Sequence, residues 1–180
     1  MIVSFSTERL RLRPLTDADK ALYCCIYTDP VLMRHVADPL SEESAKASFA
    51  VACRQNVASS GVHWWVLLEH SSGIGIGLLG TTCQNGVGEI GVMLLPAWHG
   101  MGYAAEGIAA LVDRLFQQRR VGAMRMQHAV GNVAMFGLTR KLQFRREPTS
   151  GVEVRWRLDH ARWRATASTC IDFAMIGDAR

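Results

Sequence analysis

The sequence predicts an α+β domain, and three observations lead there. The middle of the chain holds three short, mostly apolar runs separated by turn residues, at 64–69, 74–83 and 89–95, which is the pattern of an antiparallel meander. Ile108, Leu111, Val112, Leu115 and Phe116 then recur at helical spacing, with Asp113, Arg114, Gln117 and Gln118 on the other face. Between strand and helix lies Pro96-Ala97-Trp98-His99-Gly100-Met101-Gly102-Tyr103-Ala104-Ala105-Glu106, a glycine loop that leads one straight into the other. With 180 residues, 49% hydrophobic and 20% charged, the chain can bury one sizeable core, so a single domain over 1–180 is expected.

Taken in order, Leu10 and Leu12 alternate with Arg9, Arg11 and Arg13, a strand at about 8–13. Thr16 reads as the N-cap of a helix reaching Tyr27, with Asp17 and Asp19 in its first turn. Ser41, followed by Glu42 and Glu43, starts a second helix to about Asn56. Trp64–Glu69, Ile74–Cys83 and Glu89–Leu95 are the meander, the second strand surviving Gly75, Gly77 and Gly80. After the helix at about 103–118 come a strand at Met124–Val130, a helix at Val133–Lys141, and strands near Phe144–Glu147 and Val152–Trp163. The tail from about 168 to 180, with Ile171, Phe173, Met175 and Ile176, reads as an extra docked element or a partner contact, and a homodimer is one use for it.

The glycine loop reads as an anion cradle. Gly100 and Gly102 allow a tight turn and close approach, and the first helical N–H groups lack intrahelical partners and carry the positive end of the helix dipole. A phosphate fits such a site. The lysine and hydroxyl of G-x-x-x-x-G-K-[ST] are absent, and a dinucleotide fingerprint would need a glycine where Ala105 stands.

These residues resemble the GCN5-related N-acetyltransferases (GNAT), whose signature Q/R-x-x-G-x-G/A is read here as His99-Gly100-Met101-Gly102-Tyr103-Ala104. The branch that acetylates ribosomal-protein N-termini (RimJ/RimL-like) is matched by Glu89-Ile90-Gly91-Val92-Met93-Leu94, by Gly100 through Glu106, and by the opening Thr7-Glu8-Arg9-Leu10-Arg11-Leu12-Arg13-Pro14-Leu15. The run Asn132–Phe144 parallels "N-x-x-[SA]-x-x-x-x-x-K-L-G-F". Four departures stand out: His99 stands where the family usually has Gln, Arg or Trp, Met135 replaces Ser or Ala, Thr139 sits where many members have a catalytic tyrosine, and Gln143 replaces the glycine before Phe144.

The resemblance implies a mixed, mostly antiparallel sheet of about six to seven strands flanked by helices, with two central parallel strands splaying into a V. It also implies acetyl-coenzyme A as co-substrate, its pantetheine arm pairing with exposed strand backbone as an added strand would. Met93, Leu94 and Leu95 would line that arm, His99, Gly100, Met101, Gly102, Tyr103 and Ala104 the pyrophosphate, and Asn132 the arm again. Asn132 is equally suited to cap the helix at Val133, and the two roles are compatible. Glu89 is the candidate base for the amine, because an ammonium must lose its proton before it can attack a thioester. A backbone N–H near Met93 to Leu95 is the candidate oxyanion donor.

Arg34, His35 and Asp38, between the first two helices, and Trp65, one of a Trp64–Trp65 pair facing opposite ways, are the candidate acceptor contacts. No general acid is visible, so the thiolate would be protonated by water or by the departing ammonium proton. Structural roles are read for His99 and His128 as titrating groups and for Glu106, which suits the helix dipole.

The function read from this is transfer of acetyl from acetyl-coenzyme A to a primary amine by direct attack in a ternary complex, the acceptor being a protein N-terminus or a small amine. The alternative is a noncatalytic acyl-coenzyme A-binding or regulatory module of the same fold. The net charge of +4 is scattered, which argues against nucleic acid, and no apolar run approaches a membrane span, so the cytoplasm is expected. The five cysteines form no C-x-x-C pair and suggest neither a disulfide framework nor a metal site.

Overall fold

The computed structural model describes residues 3–57, 61–149 and 151–164. Its strands are β1 (Phe5–Ser6), β2 (Leu10–Pro14), β3 (Val62–Glu69), β4 (Gly75–Gln84), β5 (Val87–Leu94), β6 (Ala123–Ala129), β7 (Arg145–Glu147) and β8 (Glu153–Asp159). Its helices are α1 (Lys20–Thr28), α2 (Pro30–Met33), α3 (Glu42–Val57), α4 (Tyr103–Gln117) and α5 (Val133–Lys141). The eight strands form one sheet in the order β1-β2-β3-β4-β5-β6-β8-β7. Every pairing is antiparallel except β5 with β6. That is one strand more than the upper bound expected, because the two-residue β1 pairs Phe5 with Leu12 and Ser6 with Arg11.

The alternation of β3 decides which helix covers which face. Trp65 and Leu67 turn toward α4 and join Leu10, Leu12, Ile108, Leu111 and Phe116 in the larger core, while Val66 joins Leu15, Tyr23, Ile26 and Phe49 on the α1–α3 side. The apolar stripe expected on α4 is buried as read, from Ile108 through Phe116.

Local side-chain bonds start the first three helices. Asp19 Oδ2 accepts from the Thr16 N–H at 2.8 Å and from its hydroxyl at 3.0 Å, and Arg13 grips both oxygens of Asp19 at 2.6 and 2.7 Å, tying β2 to the following helix. The first turn here is a 3₁₀ turn at Asp17–Asp19. Ser41 Oγ accepts from the Ser44 N–H at 3.2 Å, the cap expected for α3. The short α2 was not anticipated, although Asp29-Pro30 is its signal: Asp29 Oδ1 accepts from Val31 and Leu32 N–H at 2.7 and 3.1 Å, with Pro30 in the first turn.

The last strand stops sooner than expected. β8 ends at Asp159 and residues 160–164 are helical, because a three-residue spacing brings His160 onto Phe116 (centroids 4.9 Å apart) and Trp163 against the same helix, where its Nε1 donates to Asp113. The apolar tail expected at 168–180 lies outside the described residues. No helix among the described residues is long and apolar enough to cross a membrane.

Candidate active site

The parallel pair β5–β6 is joined over Val87–Ala123, Gly88–Met124 and Glu89–Arg125 only. Beyond Glu89 the two strands part: β5 stays paired to β4 as far as Leu94, and β6 stays paired to β8 as far as Ala129. This is the V expected between the central strands.

Hydrogen-bond alternation fixes which backbone groups face the gap. The Leu95 N–H donates to Ile76 O at 2.9 Å, so Leu95, Met93 and Gly91 turn their polar groups to β4, while Leu94, Val92 and Ile90 turn theirs to the splay. Of the three residues expected to supply an oxyanion donor, Leu94 alone directs its N–H into the gap; those of Met93 and Leu95 are held by β4. The Leu94 carbonyl is occupied from the loop side, where His99 Nε2 lies 2.8 Å away. Since a carbonyl only accepts, His99 carries its proton on Nε2 there and anchors the loop to the strand end.

The splay opens into a cleft of about 1000 Å³. One wall is β5 from Glu89 to Met93, the other Gln127–Ala129 with Asn132 and Met135, and the segment Arg34–Pro39 lies over them. Glu89, Met93, Asn132, Arg34, His35 and Asp38 thus share one cleft although they come from three separate stretches of chain. Glu89 is exposed on the wall, and its carboxylate has no hydrogen-bond or ion-pair partner among the described residues. Asn132 precedes α5 but makes no side-chain cap bond, so its amide is available to the cleft.

The tryptophan assignment is corrected. Trp65 is in the α4-side core at 4% exposure, and Trp64 is the one that lines the cleft. Asn56, near the end of α3, holds Trp64 by accepting from its N–H at 2.7 Å and donating to its carbonyl at 2.9 Å, and Gln55 accepts from the indole at 3.1 Å. Both are aromatic and adjacent, so only the register of β3 against the two cores separates them.

Tyr27, Gln127 and Glu153 also line the cleft and carried no signal in the sequence. Burial pushes the Tyr27 phenol up, and the stacked Tyr23 adds to this. His128 lines the cleft too, with its tautomer set by its neighbours: the Trp156 indole donates to Nε2 at 2.9 Å, and Nδ1 lies 2.9 Å from Ala129 O. Both ring nitrogens are therefore committed to structure.

Thr139 is fully buried and donates its hydroxyl back to Met135 O at 2.8 Å, so it offers the cleft no proton. Gln143, in the family's glycine position, has φ 63°, and the turn is a Schellman motif with Phe144 N–H to Thr139 O at 2.9 Å and Gln143 N–H to Arg140 O at 3.0 Å. The left-handed geometry persists without the glycine; Arg162 Nε donates to the Gln143 carbonyl at 2.8 Å and helps hold it.

The loop between β5 and α4 begins with a 3₁₀ turn at Pro96–Trp98 and contains Gly100 at φ 75° and Gly102, the N-cap, at φ 86°. Both are left-handed, where a side chain is strained. His99 through Ala104 sit in this loop at the head of α4, not in the lining of the cleft. Glu106, one turn in, accepts from the Thr7 hydroxyl at 2.5 Å and from Arg9 Nε at 2.7 Å. Burial raises its carboxyl, but these bonds and the Arg9 charge outweigh that and hold it below the usual range. The structural role read for Glu106 is the one it has.

A family model described as an acetyltransferase (GNAT) domain matches residues 9–145. The chain is similar to an uncharacterised protein, YkkB, of Bacillus subtilis, 29% identical over 141 residues that cover 76% of this chain and 81% of that one. Among solved structures it resembles an acetyltransferase from Agrobacterium tumefaciens (24% identity, TM-score 0.76, covering 88% and 95% of the two chains). It also resembles the spermidine N-acetyltransferase of Vibrio cholerae in complex with CoA and spermine (16%, TM-score 0.76, 88% and 99%). A third is RimL, a ribosomal L7/L12 alpha-N-protein acetyltransferase (15%, TM-score 0.75, 88% and 95%). With its family match spanning most of the chain, its splayed parallel pair and its glycine loop before α4, the chain belongs to the GNAT acetyltransferases, enzymes that draw their acetyl group from acetyl-coenzyme A.

Proposed function

We propose that this protein transfers acetyl from acetyl-coenzyme A to a primary amine by direct attack in a ternary complex. The observation that carries the reading is the continuity of β5. Its first residues border β6, its middle forms the wall of the splay, and its end runs into the glycine loop.

The pantetheine arm would lie against the free edge of Ile90–Leu94, with the Asn132 amide opposite it. The pyrophosphate would meet the N–H groups of Gly100 to Ala104, where a dipole end and two left-handed glycines suit an anion. Glu89, on the cleft wall without a partner, would take the proton from the ammonium directly or through water. As the amine nitrogen bonds to the thioester carbon, the Leu94 N–H is oriented to receive the developing oxyanion. The C–S bond then breaks, the coenzyme A thiolate leaves, and it takes a proton from water or the proton that departs from the newly bonded nitrogen, since the Thr139 hydroxyl is turned away.

A protein N-terminus and a small amine both fit as acceptors, and both occur among the structural relatives. Arg34, His35 and Asp38 on one side and Trp64 in place of Trp65 on the other are the residues that would read it. The enclosed Thr139 also favours a second reading, a noncatalytic acyl-coenzyme A-binding module.

The test is calorimetric titration of acetyl-coenzyme A into the wild type and Gly102→Glu, alongside thiol release with a panel of amines. Micromolar binding, lost about 100-fold or more in the variant, is expected, because the new carboxylate sits where the phosphates belong. Binding without turnover on any amine would favour the module, and no binding in the wild type would end both readings.

A further inference from the structure

Arg9 stands immediately before β2, and its side chain is spent on the cradle loop and the head of α4. Its Nε donates to Glu106 Oε2 at 2.7 Å and its Nη2 lies 2.6 Å from the same oxygen. Its Nη1 donates to the Met101 carbonyl at 3.0 Å, and its guanidinium carbon is 4.6 Å from the centroid of the Tyr103 ring. Its own backbone N–H donates to Glu106 Oε1 at 2.9 Å. A Cβ on Gly102 would lie 3.4 Å from Nη2. One side chain from the bend just before β2, more than 90 positions earlier, thus touches the tip of the loop, its cap and the first turn of α4.

The bond to Met101 has a geometric consequence. A trans peptide is planar, with its C=O and N–H pointing opposite ways, so drawing the Met101 carbonyl toward Arg9 turns the Gly102 N–H away from Arg9. Gly102, left-handed and without a Cβ, follows that peptide directly and lowers the steric barrier to its rotation. Without a restraint the N–H would sample several directions, and binding an anion would carry the cost of ordering it.

We infer that Arg9 is a positioning residue for the cofactor cradle: it locks the Met101–Gly102 peptide so that the Gly102 N–H faces the phosphates. This rests on the cradle reading of the preceding section. The Arg9 side chain is 43% exposed, so its ion pair with Glu106 adds little to the stability of the fold, and the role is one of ligand affinity.

The experiment is calorimetric titration of acetyl-coenzyme A into the full chain as wild type, Arg9→Met and Arg9→Lys, with thermal unfolding of each. Arg9→Met is expected to weaken binding about tenfold or more with a midpoint little changed. Arg9→Lys is expected to lose most of that affinity too, because one ammonium cannot hold the Met101 carbonyl and Glu106 together as a guanidinium fork does. Full affinity in Arg9→Lys would show that charge alone matters and overturn the inference. Wild-type affinity in Arg9→Met would also overturn it while leaving the cradle standing, and a loss tracking a large fall in midpoint would reduce Arg9 to a fold residue. If the wild type itself does not bind, the cradle reading fails first and takes this inference with it.

Discussion

The cradle and the cleft are built in opposite ways. The cradle is one unbroken run at the head of α4, and its conformation follows from two glycines and a helix start. The cleft takes Tyr27, Arg34–Pro39, Trp64, Glu89–Met93 and Gln127–Met135 from far apart and has no local signature. A contiguous site tolerates changes elsewhere because its shape is local, whereas an assembled one depends on strand register and on which helix covers which face. Even the cradle is not wholly local, since Arg9 reaches it from the bend before β2.

The largest effect expected is on the cleft. Glu89→Gln should lower kcat by about 100-fold to 10,000-fold, the usual contribution of a positioned base, while calorimetric affinity for acetyl-coenzyme A stays as in the wild type. A variant with unchanged turnover would remove Glu89 from the chemistry and leave the cleft as an acceptor pocket only. The adjacent tryptophans should separate stability from recognition. Trp65→Ala, in the core, should cost about 3–5 kcal/mol in denaturant unfolding. Trp64→Ala should cost less and instead change KM for the amine; equal losses of stability would deny Trp64 a role in the acceptor pocket.

Smaller effects sharpen the contrast between local rule and tertiary hold. Gln143→Gly relieves a left-handed residue at φ 63° but forfeits chain entropy, and it should raise stability by about 0.5–1 kcal/mol with kinetics unchanged. A loss would mean that the contacts from Arg162 outweigh the strain.

Glu69 offers the last comparison, as a glutamate in a wholly local site. Its carboxylate accepts from the Ser72 hydroxyl at 2.7 Å, from the Ser71 and Ser72 N–H groups at 3.0 and 2.8 Å, and from the Ser71 hydroxyl, and these bonds hold it at about 2. A lowered pKa means that the unfolded chain binds the proton more readily. Its contribution is therefore complete above the ordinary 4.5 and is lost as pH falls from there toward 2. Glu69→Gln should flatten that part of the acid-unfolding curve. An unaltered curve would show that the turn does not depend on the charge.

Much of this was legible in the residues, for identifiable reasons. The meander, α4 with its buried stripe, and the glycine loop each carry a strong periodicity or a backbone requirement that acts over a few neighbours. Thr16 and Ser41 marked helix starts because capping is a contact between residues two or three apart. The same logic would have found α2 from Asp29-Pro30. Phe144 and Gln143 followed from a motif, although the φ that explains the motif's glycine became visible only in the turn.

What failed was orientation and reach. Trp64 and Trp65 are chemically identical neighbours, so alternation says that they face opposite ways but not which way is inward. That depends on α4 packing on one face of β3 and α1 with α3 on the other. The direction of each N–H from Met93 to Leu95 depends on the register with β4, which no property of those three residues encodes. The end of β8 depends on His160 and Trp163 finding α4, and Arg9 reaches Met101 only because the bend before β2 packs beside the head of α4. The sequence by itself determined the meander, the long helices, the glycine turn at the head of α4 and the family, because those rest on interactions between near neighbours. Tertiary structure alone decided which carboxylate, indole and amide share the cleft, because strand register and helix packing are set by contacts between residues far apart in the chain.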